Sequence, residues 1–197
     1  MKKVIFFLLF ALCSAGTFAQ KGSWYVGGQV GFNSGSEEET NESEITTTSW
    51  SVAPEIGTFL SNDLQLGFAL NLSGSTEEQD TFKTTTSNFA PVIYLRNFHK
   101  VTEQFSVFAG IVASYTTGTV EFPGGESTIS GWSANLSIGA AYALTNRFTA
   151  VAQYGLLGYT SQTMESGSNE TTTTNFGLNI NSLGPVFNVG IYYTISQ

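Results

Sequence analysis

Apolar and polar side chains alternate along most of the chain with a period of two residues. Between Leu64 and Ser73, every second position holds Leu or Phe, and the positions between them hold Gln, Gly, Ala, Asn or Ser. The same alternation runs through residues 50–57, 131–142 and 186–195. A sustained period of two is typical of β-strands with two different faces, whereas a helix needs an apolar residue every three to four positions. The pattern therefore predicts an all-β protein.

Polar and acidic stretches divide the chain into eight such segments. Three short connections lie around residues 61–63, 99–103 and 145–147, and the longer connections between them are acidic. An even strand number, with short turns at one rim and long loops at the other, is typical of outer-membrane barrels. We therefore predict an eight-stranded antiparallel up-and-down transmembrane β-barrel, in which a phase slip between Asn181 and Pro185 marks a β-bulge. The predicted strands lie near residues 23–34, 46–60, 64–75, 84–98, 104–118, 128–144, 148–162 and 172–195.

Composition favours a membrane barrel over a soluble one. Charged residues make up 11% of the chain, compared with about a quarter in soluble domains. The less apolar strand face is small and uncharged, so it suits the interior of a narrow barrel better than a surface in water. Aromatic residues near the predicted strand ends favour girdles at the membrane interfaces. These are Trp24, Tyr25, Trp50, Phe59, Phe98, Phe105, Tyr115, Trp132, Tyr142, Phe148 and Tyr159. The alternative is a secreted, soluble lipocalin-like barrel that binds a ligand.

The N-terminus has the pattern of a secretory signal peptide. A basic start at Lys2 and Lys3 precedes an apolar run that is too short to span a bilayer as a helix, and small residues follow. This pattern predicts a signal peptide over residues 1–19, cleaved after Ala19, and a barrel domain over residues 20–197. Lipid attachment at Cys13 is the less favoured alternative, because Leu12 stands where lipoprotein processing needs a small residue.

Charge excludes one class of partner. Removal of Lys2 and Lys3 with the leader leaves five basic residues against 15 acidic ones, a net charge of −10. Nucleic-acid binding needs a positive surface, so no nucleic-acid partner is expected. The acidic residues concentrate in four stretches, and we expect these stretches to form loops outside the cell. They lie at residues 37–44, 77–80, 121–126 and 165–170.

Residues suited to catalysis or metal binding are scarce. His99 is the only histidine and lies in a predicted turn, and Cys13 is the only cysteine. A serine nucleophile would therefore lack a histidine base on the strands. Residues 37–44 lack the Asp, Asn and Gly spacing of a preformed calcium loop. The sequence predicts no catalytic, cofactor-binding or metal site.

One pair of charges falls on the inward face of the predicted strands. Glu55 and Arg96 both lie at the alternate positions of their segments that carry the less apolar side chains. A charge inside a narrow barrel needs an opposite partner, so we expect the two side chains to meet across the lumen. The alternative is that lumen water hydrates each charge separately. We expect four further polar residues to complete a plug around the pair, namely Gln65, Asn71, Asn88 and Gln153.

Three stretches resemble one family. They are SVAPEIGTFLSNDLQLGFALNLSGS at residues 51–75, NFAPVIYLRNFHKVTEQFSVFAG at 88–110 and NSLGPVFNVGIYYTI at 181–195. They resemble strands of the outer-membrane β-barrel domain family of Bacteroidota, a group of small OmpX/OmpA-like eight-stranded barrels. The resemblance implies a bacterial outer-membrane protein. The chain departs from many such barrels by ending in Ser196-Gln197 rather than in an aromatic residue.

Three functions remain open from the sequence. The first is a small non-enzymatic protein whose barrel anchors four acidic loops for envelope integrity or surface interaction. The second is a narrow pore or transporter for small or hydrophobic solutes, although eight strands leave little room for a channel. The third, a membrane enzyme, is disfavoured by the lack of catalytic groups. The expected partners are outer-membrane lipid and the insertion machinery, with an unknown surface partner and a monomeric state.

Overall fold

The computed structural model describes residues 21–37, 45–79, 82–178 and 187–195. The predicted signal peptide, its cleavage site after Ala19 and the predicted bulge between Asn181 and Pro185 lie outside these ranges. Within them, no helix is long and apolar enough to cross a membrane. The strands are β1 (Trp24–Glu37), β2 (Ile45–Phe59), β3 (Leu64–Gln79), β4 (Phe82–Lys100), β5 (Phe105–Phe122), β6 (Gly125–Ala143), β7 (Phe148–Ser166), β8 (Asn169–Leu178) and β9 (Phe187–Ile195).

The strands close into an antiparallel barrel. Neighbouring strands pair in chain order from β1 to β7, and β9 pairs with both β7 and β1 to complete a ring of eight. The predicted all-β, eight-stranded antiparallel barrel is thereby confirmed. The segment predicted as one strand over 172–195 contains two strands, β8 and β9. Within the described ranges, β8 pairs only with β7, along residues 157–166 of that strand.

Three of the four acidic stretches are hairpins rather than long loops. β5 and β6 are joined by Pro123-Gly124 alone, and β7 and β8 by Gly167-Ser168 alone. Gly124 (φ 110°) and Gly167 (φ 61°) have the left-handed backbone that such tight turns require. β3 likewise continues to Gln79, through the acidic residues that the sequence placed in a loop. The prediction of long loops is therefore wrong at these three positions.

Polar cross-strand pairs explain why the ladders continue. Thr163 and Thr172 face each other across β7 and β8, with hydroxyl oxygens 2.9 Å apart. Glu78 and Lys83 form an exposed ion pair of 2.8 Å across β3 and β4. Threonine favours strands, and paired polar side chains stabilise a ladder that lies in water. Acidic residues in the sequence therefore indicated exposure here rather than the end of a strand.

The outer face of the barrel carries an apolar belt between two rings of aromatic residues. Ile93, Ile111 and Ile191 lie in this belt and expose 54–57% of their surface. Such exposure is unfavourable in water and is expected against lipid. The upper girdle, on the side of the acidic hairpins, consists of Phe32, Trp50, Phe89, Tyr115, Trp132, Tyr159 and Phe176. The lower girdle, beside the short turns, consists of Trp24, Phe105, Tyr142, Phe148 and Tyr193.

Three aromatic residues assigned to the girdles from the sequence face the lumen instead. Tyr25 and Phe98 are buried, and Phe59 packs edge-on against Tyr25 with ring centroids 5.8 Å apart. The reason is the alternation of the strand itself, since Tyr25 must point away from its outward neighbour Trp24. Their inward position gives the lower lumen an aromatic lining.

A bulge in β7 breaks the regular alternation of inward and outward side chains within residues 148–162. Leu136 pairs with Leu157 and Ser137 pairs with Gly155, so Leu156 has no partner on β6. The extra residue reverses the inward and outward phases of β7 at this point. In β5 no such break occurs, and the even-numbered residues from Ser106 to Ser114 face the lumen.

Candidate functional site in the barrel lumen

Glu55 and Arg96 meet at the centre of the lumen. Strand alternation turns both side chains inward, Glu55 from β2 and Arg96 from β4. Both side chains are fully buried, and Nη1 of Arg96 lies 3.4 Å from Oε2 of Glu55. β3 lies between the two strands in the wall of the barrel. The ion pair therefore links two strands that are not hydrogen-bonded to each other, through the interior of the barrel.

The guanidinium group of Arg96 also reaches the opposite wall. Nη2 and Nε donate to Oε1 of Gln153 on β7, at 2.7 and 3.1 Å. Nη1 donates to the hydroxyl of Tyr192 on β9 at 2.6 Å and to Oε1 of Gln65 on β3 at 3.4 Å. The planar group lies 3.8 Å from the ring centroid of Tyr94, a cation–π distance.

The carboxylate of Glu55 accepts hydrogen bonds from several sides. Oε2 accepts from the hydroxyls of Tyr94 at 2.5 Å and Tyr192 at 2.7 Å. Oε1 accepts from Nε2 of Gln29 at 2.5 Å. The hydroxyl of Tyr25 lies 2.7 Å from that of Tyr94 and extends the network to β1. We call the eight residues of this network the lumen cluster: Tyr25, Gln29, Glu55, Gln65, Tyr94, Arg96, Gln153 and Tyr192.

The lumen cluster ties together six strands of the barrel, β1, β2, β3, β4, β7 and β9. Removing two charges from water costs several kcal/mol per ion, and only good geometry with further hydrogen bonds offsets that cost. Here each charged group has at least three polar partners. The arrangement is suited to holding opposite walls together and to filling the lumen at this level. It contains no pair of a nucleophile and a histidine base of the kind that hydrolases use.

The other predicted plug residues divide into two groups. Gln65 and Gln153 are members of the lumen cluster through Arg96. Asn71 and Asn88 line a separate cavity of about 240 Å³ on the hairpin side, and within the described residues no hydrogen bond joins them to the pair. Asn88 precedes Arg96 by eight residues, a distance of about 26 Å along an extended strand. The plug is therefore shorter along the barrel axis than the sequence suggested.

The tyrosines of the lumen cluster and Gln29 were not predicted from the sequence. A signal for them exists in the small residues of the inward phase. A Cβ added at Gly57 or Gly67 would lie 2.2 Å from the hydroxyl oxygen of Tyr25, and at Gly67 also 2.3 Å from Cζ of Tyr94. Inward glycines beside large inward side chains could have indicated where the lumen is filled.

The remaining candidates for chemistry lie outside the lumen cluster. His99 is exposed at the lower end of β4, opposite Val107 of β5. Among the residues that the structure describes, no group of three His, Cys, Asp or Glu side chains is placed to hold a metal ion. The acidic stretch at 37–44 lies almost wholly outside the described ranges.

Comparison with protein families identifies the fold family. The model of the outer membrane protein beta-barrel domain matches residues 5–195. The chain belongs to this family. As a member, it is a barrel of the bacterial outer membrane, in agreement with the outward apolar belt and its two girdles. A comparison with curated proteins finds no match.

Solved outer-membrane proteins align with most of this chain at low sequence identity. The outer membrane protein OprG from Pseudomonas aeruginosa has a TM-score of 0.59 and 12% identity, over 92% of this chain and 99% of that chain. The N-terminal β-barrel domain of OprF from the same organism has a TM-score of 0.47 and 12% identity, over 90% and 100%. Neisserial surface protein A gives 0.47 and 12%, over 89% and 100%. At this identity, the likeness to OprG supports the fold alone.

Proposed function

We propose that this family member is a non-enzymatic outer-membrane anchor. Its barrel holds acidic hairpins at the cell surface and supports envelope integrity or contact with an outside partner. We further propose that it comes from a Bacteroidota species, acts as a monomer and loses residues 1–19 by cleavage after Ala19. The observation that carries the proposal is the lumen cluster, because a barrel filled at its centre is suited to anchoring rather than to conduction.

The burial of the lumen cluster argues against a pore. The side chains of Arg96, Glu55, Gln65 and Gln153 come from different walls, and none exposes more than 4% of its residue surface. In a conducting barrel, charged lumen groups line water, whereas these groups bond to one another. An eight-stranded barrel has an interior just wide enough for its side chains, so this network leaves little space for a solute at its level.

The hairpins supply the surface for an outside contact. β6 has 19 residues, which corresponds to about 60 Å of strand and, at a tilt of about 40°, to a height of about 45 Å. The apolar band of such barrels is about 25 Å tall, so roughly 20 Å of ladder projects beyond the membrane. Four carboxylates lie at the tips of two hairpins, those of Glu121, Glu126, Glu165 and Glu170.

Conductance measurements on the full chain test the anchor against the pore. The refolded protein is inserted into planar lipid bilayers, and its closed barrel is verified by faster gel mobility before boiling than after it. We expect no discrete conductance steps, with an established porin as the positive control for insertion. Reproducible steps that scale with the number of inserted molecules would overturn the anchor function and favour the narrow pore.

A shortened hairpin tests the role of the projecting ladder. Deletion of residues 119–122 and 125–128 joins Gly118 and Ile129, which already pair, through the native Pro123-Gly124 turn. Four residue pairs are removed, so the inward and outward phases are unchanged. In a deletion strain, we expect the full chain to restore detergent resistance or surface adhesion and the shortened chain to restore it less. Equal restoration by both proteins, at equal amounts in the membrane, would contradict a role for this hairpin.

A further inference from the structure

The lower lumen contains an arc of aromatic rings that runs around the inside of the wall. Ring centroids lie 5.1 Å apart between Tyr192 and Tyr25, 5.8 Å between Tyr25 and Phe59, and 6.2 Å between Phe59 and Phe98. Phe108 follows at 5.0 Å from Phe98. These five residues come from β9, β1, β2, β4 and β5, and we call them the aromatic arc. Such rings offer large apolar faces and edges to any molecule between them.

The wall opposite the aromatic arc is made of small side chains. Ala141 and Ala143 of β6 and Val151 of β7 point into the lumen and are buried. They do not fill the distance to the arc, and a cavity of about 410 Å³ lies between them and four of its rings, those of Tyr25, Phe59, Phe98 and Tyr192. Sites for small molecules are usually about 300–1,000 Å³ and mostly apolar with a few polar groups. The cavity fits this range in size. Its lining joins aromatic and small apolar side chains to nine polar residues, of which Asn62, Asp63, Thr145 and Asn146 lie in the short turns.

Polar groups are placed at two levels of the cavity. Gln65 and Ser106 stand among the apolar side chains inside it. Asp63, in the turn before β3, and Lys100, the last residue of β4, stand at the mouth, at the end that faces the periplasm in barrels of this type. An occupant needs a flat apolar body for the aromatic arc and a hydroxyl or similar polar end for the groups inside or at the mouth.

We propose that this cavity binds a small aromatic molecule with one polar end, which enters from the periplasmic side. The inner end of the cavity is lined by Tyr25, Gln65 and Tyr192, which belong to the lumen cluster. The cavity is therefore a blind site, suited to binding and release at one face of the membrane rather than to passage. The closed inner end rests on the lumen cluster, as the proposed function does, but ligand binding is measured apart from conductance, so failure of one proposal is distinguishable from failure of the other.

Three alanines of β6 allow a direct test in the intact protein. Ala141 and Ala143 face the cavity, whereas Ala140 faces outward and lines a groove of the lipid-facing surface. The protein is labelled at its alanine methyl groups, refolded into detergent micelles and titrated with 4-fluorophenol. We expect saturable methyl shifts at Ala141 and Ala143 with a Kd of about 1 mM or below, as suits a ligand of this size. Shifts at Ala140 alone, or shifts that rise linearly, would show partition into the micelle and overturn the proposal.

Matched substitutions locate the site without relying on one variant. Ala143→Phe places a ring in the cavity, and we expect at least tenfold weaker binding of 4-fluorophenol. Ala140→Phe makes the same change on the opposite face of the same strand and should alter Kd less than twofold. Heat-modifiable mobility verifies that both barrels are closed. If Ala143→Phe does not fold, Phe98→Ala replaces it, since loss of one ring from the aromatic arc should also weaken binding. Unchanged affinity in the folded cavity variant would contradict the site.

Discussion

The ion pair of Glu55 and Arg96 should respond to mutation as a buried pair does. Arg96→Ala leaves a buried carboxylate without its counter-charge, and we expect a loss of about 3–5 kcal/mol in the free energy of unfolding. Lys83→Ala breaks the exposed pair with Glu78, whose side chains are 61% and 54% exposed, and should cost about 1 kcal/mol or less. Urea unfolding in lipid vesicles, followed by tryptophan fluorescence, measures both.

The pairing itself is tested by the second single variant and the double variant. If Glu55 and Arg96 stabilise each other, the double replacement by Ala should cost less than the sum of the two single losses. An unchanged stability for Arg96→Ala, together with a clear loss for Glu55→Ala, would contradict the pairing. In that case the tyrosines and Gln29, rather than Arg96, would hold the carboxylate.

At the residue level, the sequence predicts the direction of a side chain better than its height in the lumen. Glu55, Gln65, Arg96 and Gln153 follow the inward phase of their strands, and the structure places all four inside the barrel. Asn88 also follows that phase but lies in the upper lumen, because eight residues of β4 separate it from Arg96. Height along one strand follows from residue spacing, whereas height relative to another strand depends on the register between the two, which a single strand does not encode.

The bulge of β7 allows a test at the level of a single element. Deletion of Leu156 brings Gly155, which faces inward, next to Leu157, which faces outward, and so restores strict alternation. We expect this variant to form a closed barrel with the same inward side chains above and below the deletion. Deletion of Ile138 from the facing strand, where no extra residue exists, should reverse every side chain beyond it and prevent closure. Heat-modifiable gel mobility distinguishes the two outcomes, and failure of the Leu156 deletion with success of the Ile138 deletion would contradict the assigned bulge.

For the elements, the alternation predicted where strands run but not where they end. β5 and β6 were expected to stop before their acidic residues, yet they pair as far as Phe122 and Gly125. Acidic and threonine-rich sequence is compatible with both a loop and a strand in water. Only the partner strand decides between them, because paired polar residues keep the ladder intact where lipid no longer constrains the side chains.

At the level of the whole molecule, the type of side chain changes along the barrel axis, both on the inner face and on the outer face. The outer face changes from the lower girdle through the apolar belt to the upper girdle and then to polar hairpins. The inner face changes from the aromatic arc through the lumen cluster to the amide- and hydroxyl-lined upper cavity. The sequence predicted the outer order from composition, whereas the inner order required the register of all eight strands of the ring.

The direction of this axis in the membrane can be measured with two cysteine variants. Ser168 lies in the turn between β7 and β8, and Asn146 lies in the turn between β6 and β7, at the other end of the barrel. Under the proposed cleavage after Ala19, Cys13, which is the only cysteine of the chain, is removed and each variant carries a single thiol. In intact cells, a membrane-impermeant maleimide should label Ser168→Cys and leave Asn146→Cys unlabelled until the outer membrane is permeabilised. The reverse result would place the acidic hairpins in the periplasm, where they could not serve as a surface contact, and the mouth of the lower cavity outside the cell.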